Sequence, residues 1–168
     1  AMRYGQIRKM DIANGPGIRT SVFVTGCTHH CYNCFNEEYQ NPEFGTLWTD
    51  KETDQVISYL KEPTISGLTL LGGEPMQNTD GLIPVIRRVR EAVDTNIWVY
   101  SGYVYEELVK DEGRKALLEL CDVLVDGPFQ EALKDPGLYF RGSSNQRIID
   151  VKETQKQKQV VLLWPDGR

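Results

Sequence analysis

Short, almost uninterrupted apolar runs alternate with segments of helical periodicity along most of the 168 residues. Residues 21–25 (SVFVT) are β-branched and aromatic and predict a buried strand. Residues 67–71 (GLTLL) predict a second, stopped by Gly72 and Gly73, and residues 96–100 (NIWVY) and 122–126 (DVLVD) a third and a fourth. Residues 146–151 (QRIIDV) and 159–164 (QVVLLW) predict further strands whose partners the pattern leaves open. Between them, residues 50–62 read as a helix with Asp50 as N-cap and Val56, Ile57 and Leu60 on one face. Residues 80–93 read as another, with a Leu82, Ile86, Val89, Val93 stripe and Pro84 in the first turn, where a missing N–H costs little. Residues 103–120 carry one or two helices with a break at Gly113.

Strand–helix alternation with apolar strands predicts a parallel sheet covered by helices, an α/β fold. A closed eight-fold barrel needs about 200 residues or more. A chain of 168 residues has room for five or six strand–helix units, so the expected form is an open, partial (β/α) barrel splayed at one side. A large protein partner could close such an opening better than a small molecule could. Residues 1–168 are expected to form one domain, with Ala1 before Met2 reading as an expression remnant and 151–168 as a C-terminal extension without an assigned role.

The net charge of −5 and a pI near 5.1 argue against a nucleic-acid binder, which needs clustered Lys and Arg. The KQKQ run near the C-terminus is short and diluted by glutamines, and reads as solvated surface. No apolar run approaches the ~20 residues of a membrane span, and no signal peptide opens the chain. A cytoplasmic, reducing location follows as the expectation, where clustered thiols serve as metal ligands or redox groups more often than as disulfides.

In parallel sheets the working residues lie beyond the carboxyl ends of the strands. Cys27 follows the first predicted strand, Gly72 the second, Ser101 the third and Gly127 the fourth, so one mouth should gather all four. Cys27, Cys31 and Cys34 form C-x3-C-x2-C, and the chain's other cysteine, Cys121, lies far downstream among Leu117, Leu118, Leu120 and Val123 as a buried apolar thiol. A closed zinc site wants four ligands, and His29 or His30 could reach only with strain from between the first two cysteines. A disulfide is a second reading. A [4Fe–4S] cubane, normally held by four thiolates, is the third: three cysteines leave one iron open to a cofactor or substrate. No Ser–His–Asp set or convincing acid–base pair accompanies the cysteines.

The C-x3-C-x2-C spacing, with Tyr32 and Asn33 before the last cysteine, resembles the signature of the radical S-adenosylmethionine family. Upstream, Asn14-Gly15-Pro16-Gly17-Ile18-Arg19-Thr20 resembles the NGPGxR segment of glycyl-radical enzyme activating proteins, and Gly72-Gly73-Glu74-Pro75 resembles the GGEP motif. Residues 98–103 (WVYSGY), 123–127 (VLVDG) and 140–146 (FRGSSNQ) resemble the activating proteins of anaerobic ribonucleotide reductase. The likeness runs from about residue 4 to about residue 150, and residues 151–168 match no motif of the family. Larger activating proteins often carry D-x-K where this chain has Asp126-Gly127-Pro128.

The resemblance implies a [4Fe–4S] cluster on Cys27, Cys31 and Cys34 whose open iron binds the amino and carboxylate groups of S-adenosyl-L-methionine. One electron from the reduced cluster would cleave the sulfonium, giving methionine and a 5′-deoxyadenosyl radical that takes a Cα hydrogen from a glycine of the partner. The partner implied is the large glycyl-radical enzyme, anaerobic ribonucleotide reductase, and the electron donor a flavodoxin- or ferredoxin-type protein. The cofactor-binding set it implies is Tyr32, Asn33, Cys34, Gly72, Gly73, Glu74 and Asp126, with Tyr32 near the adenine.

Each assignment has a plain counterpart. The GGEP turn alone reads as a strand-ending turn with an exposed glutamate, Tyr32 as loop packing, Asp126 as a helix or turn cap, and Arg141 as a solvated loop residue or a partner contact. Two other functions fit the same residues: a radical enzyme acting on another glycyl-radical protein or a small molecule, and a zinc- or cluster-bearing binding module without catalysis. A simple electron carrier fits less well, because an open iron is a liability in a shuttle.

Overall fold

The four apolar runs become four neighbouring parallel strands. The computed structural model describes residues 2–27, 37–41 and 43–164. In it, β1 (Arg3–Asp11), β2 (Arg19–Val24), β3 (Thr46–Leu47), β4 (Gly67–Gly72), β5 (Asn96–Tyr100), β6 (Val123–Asp126) and β7 (Arg147–Asp150) form one seven-stranded sheet in the order β3-β1-β2-β4-β5-β6-β7. β2, β4, β5 and β6 run parallel, with Phe23 opposite Leu71, Leu70 opposite Val99, and Val99 opposite Leu124. The chain is therefore mixed α/β, and the sheet does not close on itself.

The edges depart from the all-parallel expectation. β1 pairs antiparallel with β2, β3 with β1, and β7 with β6. β1 escapes a hydropathy reading because its residues, RYGQIRKMD, are mixed; past the short pairing of Arg3 and Tyr4 with β3 it runs along the margin of the sheet, where most of its side chains stay half-exposed. Residues 159–164 do not form a strand of the sheet and contribute one isolated bridge, Leu162 to Ile149. An unexpected helix, α5 (Val151–Gln157), precedes them, capped by Asp150, whose side chain accepts the Glu153 N–H at 2.9 Å.

Because side chains alternate along a strand, the sheet has two different faces. Val22, Val24, Leu68, Leu70, Ile97, Val99 and Leu124 point to the helices α1 (Asp50–Leu60), α2 (Thr79–Ala92) and α4 (Glu112–Glu119), where Val56, Leu60, Leu82, Ile86, Val89, Leu117 and Leu118 complete the core. Phe23, Leu71, Trp98, Val123, Val125 and Ile148 point the other way, into two smaller clusters to which, among the described residues, no α-helix contributes. Among the described residues this second face carries no α-helix.

Local expectations shift slightly. Thr49, not Asp50, caps α1: its N–H donates to Glu52 at 2.8 Å and its hydroxyl to the same carboxylate oxygen at 2.5 Å. Pro84 lies in the second turn of α2, which starts at Thr79, and so cannot donate to the Asp80 carbonyl. The helical segment after β5 breaks before Gly113, between α3 (Tyr105–Leu108) and α4, because Asp111 starts α4 by accepting the Arg114 N–H. Among the described residues no helix is long and apolar enough to cross a membrane.

Candidate active site

A cavity of about 440 Å³ opens at the carboxyl ends of the parallel strands. Cys27 after β2, Gly72, Gly73 and Glu74 at the end of β4, Tyr100, Ser101 and Gly102 after β5, and Gly127 after β6 all line it. The structure thus brings together the residues that follow each parallel strand. Asn14, from the loop between β1 and β2, and Phe140 to Gly142, from the loop between β6 and β7, complete the wall. Cys31, Cys34, Tyr32, Asn33, His29 and His30 lie outside the described residues.

The root of the cysteine loop is laced to its neighbours through backbone bonds. Gly26 N–H donates to Tyr39 O at 2.5 Å and Cys27 N–H to Gln40 O at 3.0 Å. From the other side, Gly73 N–H donates to Val24 O at 2.8 Å and Glu74 N–H to Gly26 O at 2.7 Å, while the Asn78 amide holds Thr25 O at 3.0 Å. Gly73 needs to be glycine for this reason: a Cβ there would stand 2.5 Å from Tyr39 O and 2.7 Å from Gly26 O. Gly72, at φ +114°, occupies backbone space that other residues rarely enter, and a Cβ would strike the Val24 carbonyl. The absent Cβ atoms serve close packing of the chain on itself at the place where a ligand would also approach.

Glu74 is not an exposed turn residue. It is 1% exposed, with one carboxylate oxygen accepting Met76 N–H at 2.8 Å and the other Gly102 N–H at 2.7 Å. The glutamate joins the ends of β4 and β5 while lining the cavity. Asp126 is not among the lining residues. It is fully buried behind them, accepts Tyr105 N–H at 2.8 Å, and pairs with Arg147 at 2.6 Å and 3.1 Å. Hydrogen bonds donated to the Asp126 and Glu106 carboxylates hold the Arg147 guanidinium firmly protonated.

The NGPGIRT segment folds across the second face of the sheet. Arg19 is 1% exposed; its guanidinium donates to Thr69 Oγ1, Leu68 O and Asn96 and lies 5.6 Å from the Trp98 ring centre. Burial lowers its pKa to about 10, so it stays charged at neutral pH. Thr69 in turn donates to Asn14 O at 2.7 Å, which carries the loop up to the cavity. Asp11 anchors the loop's start: burial opposes its ionisation, but hydrogen bonds from Asn14, Ser21 and the Ala13 N–H outweigh that and hold it below the usual carboxylate range.

Arg141 lines the cavity and donates to Gln146 O at 2.5 Å, so it is a structured wall residue and not a solvated one. Cys121 is fully buried and away from the site, its thiol donating to Leu117 O at 3.4 Å. Tyr100 and Phe140 belong to the WVYSGY and FRGSSNQ segments but receive no site role from the sequence; the strand-end rule points to Tyr100, the last residue of β5, whereas Phe140 reaches the wall through a loop of irregular backbone.

Among the described residues no three metal-ligating side chains come together, and Cys31 and Cys34, the expected companions of Cys27, lie outside those residues. The surroundings of Cys27 suit a metal centre. Half-buried Cys27 lines a cavity walled by five glycines and a mixture of apolar and polar side chains, within the ~300–1,000 Å³ typical of cofactor sites. A 4Fe-4S single cluster domain model matches residues 13–149. Proteins named anaerobic ribonucleoside-triphosphate reductase-activating protein match most of the chain. The Haemophilus influenzae protein is 43% identical over 152 residues, 88% of this chain and 97% of that one. The Escherichia coli K12 protein is 40% identical with the same shares covered, and that of Enterobacteria phage T4 is 36% identical over 88% of this chain and 93% of that one. With the cavity, the cysteine at its rim and these likenesses together, the chain belongs to the family of anaerobic ribonucleoside-triphosphate reductase-activating proteins, enzymes with a 4Fe-4S domain.

Proposed function

We propose that this chain generates the glycyl radical of an anaerobic ribonucleoside-triphosphate reductase, by reductive cleavage of S-adenosyl-L-methionine and removal of a glycine Cα hydrogen. The observation that carries the reading is the placement of Cys27 beside Gly72, Gly73 and Glu74 in one cavity at the strand ends, in a chain whose relatives bear that name. The open sheet is read as the incomplete (β/α) barrel of the radical-SAM type, its helix-free face turned toward the partner.

When bound, the cluster and S-adenosylmethionine supply the electron and the hydrogen-abstracting group; the protein supplies binding, orientation and exclusion. Cys27, Cys31 and Cys34 are assigned as the three protein ligands. Backbone bonds from Gly26 and Cys27 to Tyr39 and Gln40 hold the first of them in place. Gly72, Gly73 and Glu74 present backbone polar atoms and a buried carboxylate to the cofactor's ammonium, and Tyr32 and Asn33 belong to its adenine side. Asp126 acts from behind: by holding Tyr105 N–H and Arg147 it keeps the loop after β5 in position. A flavodoxin- or ferredoxin-type protein is the proposed electron donor and the cytoplasm the proposed location, in keeping with thiols that must stay reduced.

The test is anaerobic reconstitution with iron and sulfide, reduction, and addition of S-adenosylmethionine with and without the reductase. The expected result is 5′-deoxyadenosine together with a glycyl-radical signal in electron paramagnetic resonance only when the reductase is present. An intact cluster that yields no 5′-deoxyadenosine refutes the reading; zinc in place of iron, in a colourless protein, favours a non-catalytic module.

A further inference from the structure

The C-terminal segment, which matches no family motif, runs from the helical face of the sheet to its second face. Lys158 ends α5 in the left-handed region at φ 57° and turns the chain back. Val161 N–H then donates to the buried Thr154 hydroxyl at 2.9 Å, and Val161 O accepts Asp150 N–H at 2.9 Å. Leu163 N–H donates to Ile148 O at 2.8 Å, so residues 161–163 cover the outer edge of β7. The next residue, Trp164, arrives on the helix-free face, 5.9 Å from the Trp98 ring and 5.6 Å from the Phe140 ring.

Phe140 is where this strap meets the site. Its backbone stands at φ 59°, a conformation a bulky residue keeps only when its surroundings enforce it. Three contacts enforce it: the Tyr100 hydroxyl donates to its carbonyl at 2.6 Å, and its ring packs edge-on against Trp98 at 5.6 Å and against Trp164. Phe140, Arg141 and Gly142 are consecutive wall residues of the cavity. Trp98 lines a second cavity of about 550 Å³ at the opposite ends of the strands, with Arg19 and Leu163. Trp98 of the second cavity and Phe140 of the first are thus in ring contact with each other and with Trp164.

We propose that Trp164 is a positioning residue: the C-terminal strap wedges its ring against Phe140 and so holds the 138–142 loop in the shape that binds the cavity's ligand. This rests on the reading that the cavity takes S-adenosylmethionine, although the mechanical coupling of strap to loop is separable from it. Aromatic packing of this kind is directional and sensitive to truncation.

Hydrogen–deuterium exchange on the cluster-loaded protein, without S-adenosylmethionine, tests the coupling. Trp164→Ala should speed exchange of the 138–146 amides about tenfold while leaving β2 and β4 unchanged, whereas a global loss of stability would speed all of them. Equilibrium titration with S-adenosylmethionine, without reductant, tests the consequence. Trp164→Ala should weaken binding about tenfold, close to 1.4 kcal/mol, and Trp164→Phe by less than about threefold. If the alanine variant does not fold, Trp164→Leu takes its place with the same readouts. Tyr100→Phe, which removes only the hydroxyl held by Phe140 O, should speed exchange at 140–142. Unchanged exchange in the 138–146 segment, or wild-type affinity in the alanine or leucine variant, overturns the proposal. Wild-type protein with an intact cluster that does not bind S-adenosylmethionine overturns the reading of the cavity, while the exchange data still decide the strap.

Discussion

Cys27 and Cys121 carry the same thiol into opposite surroundings. Cys27 is half-buried at the rim of the cavity, whereas burial among leucines pushes Cys121 up to about 12. Cys27→Ala, like Cys31→Ala and Cys34→Ala, should abolish iron–sulfur absorbance after reconstitution and all 5′-deoxyadenosine formation, with far-ultraviolet circular dichroism retained; Cys121→Ala should keep both. Cys121 should also leave a mark on stability. The unfolded chain loses that proton near pH ~8.5, while the folded chain keeps it to about 12. Above pH ~8.5 the unfolded state binds fewer protons, so stability falls as pH rises, by up to ~1.4 kcal/mol per unit. Urea unfolding from about pH 8 to about pH 10 should show a steeper decline for the wild type than for Cys121→Ala; parallel slopes would contradict this. Gly73→Ala should cost about 1–3 kcal/mol in the same assay, because its Cβ must displace the Gly26 or Tyr39 carbonyl.

At the scale of elements, the site is assembled by carboxylates that tie strand ends together. Glu74 links the end of β4 to the loop after β5 through Gly102, and Asp126 links the end of β6 to the start of α3 and to Arg147 on β7. Glu74→Gln preserves volume but turns one acceptor oxygen into an amide nitrogen facing a backbone N–H. The loss should be about 1–3 kcal/mol in urea unfolding, accompanied by weaker S-adenosylmethionine binding in titration. A variant of wild-type stability and affinity would show that the links are dispensable.

At the scale of the whole molecule, the sheet has one face sealed by helices and one built from loops, the cysteine segment's root and the C-terminal strap. Among the described residues nothing helical covers that side, and under the proposed function a partner presenting a glycine on a polypeptide loop would bring its own covering surface. Under the proposed function the same opening would let solutes reach a cluster held at Cys27. Brief exposure of the reconstituted protein to air should therefore bleach its visible absorbance and release iron, measured by a chelator assay, and added reductase should slow the loss. Bleaching at the same rate with and without the reductase would argue against closure by the partner.

The four parallel strands, the helices between them and the gathering of Cys27, Gly72, Ser101 and Gly127 at one mouth were legible in the chain, because buried strands must be continuously apolar and strand ends in such sheets converge. β1 and the strap were not legible, since a strand at the margin of the sheet and a covering segment carry mixed side chains and owe their form to the neighbours they pair with. Glu74 shows the division well: its motif announced a turn after β4, but only the fold placed Gly102 where its carboxylate could accept a second backbone N–H. Local periodicity and spacing are properties of adjacent residues and survive in the sequence. Which distant groups meet, Tyr100 with Phe140 or Trp164 with Trp98, depends on how the sheet curves and the loops return, and that was decided by tertiary packing alone.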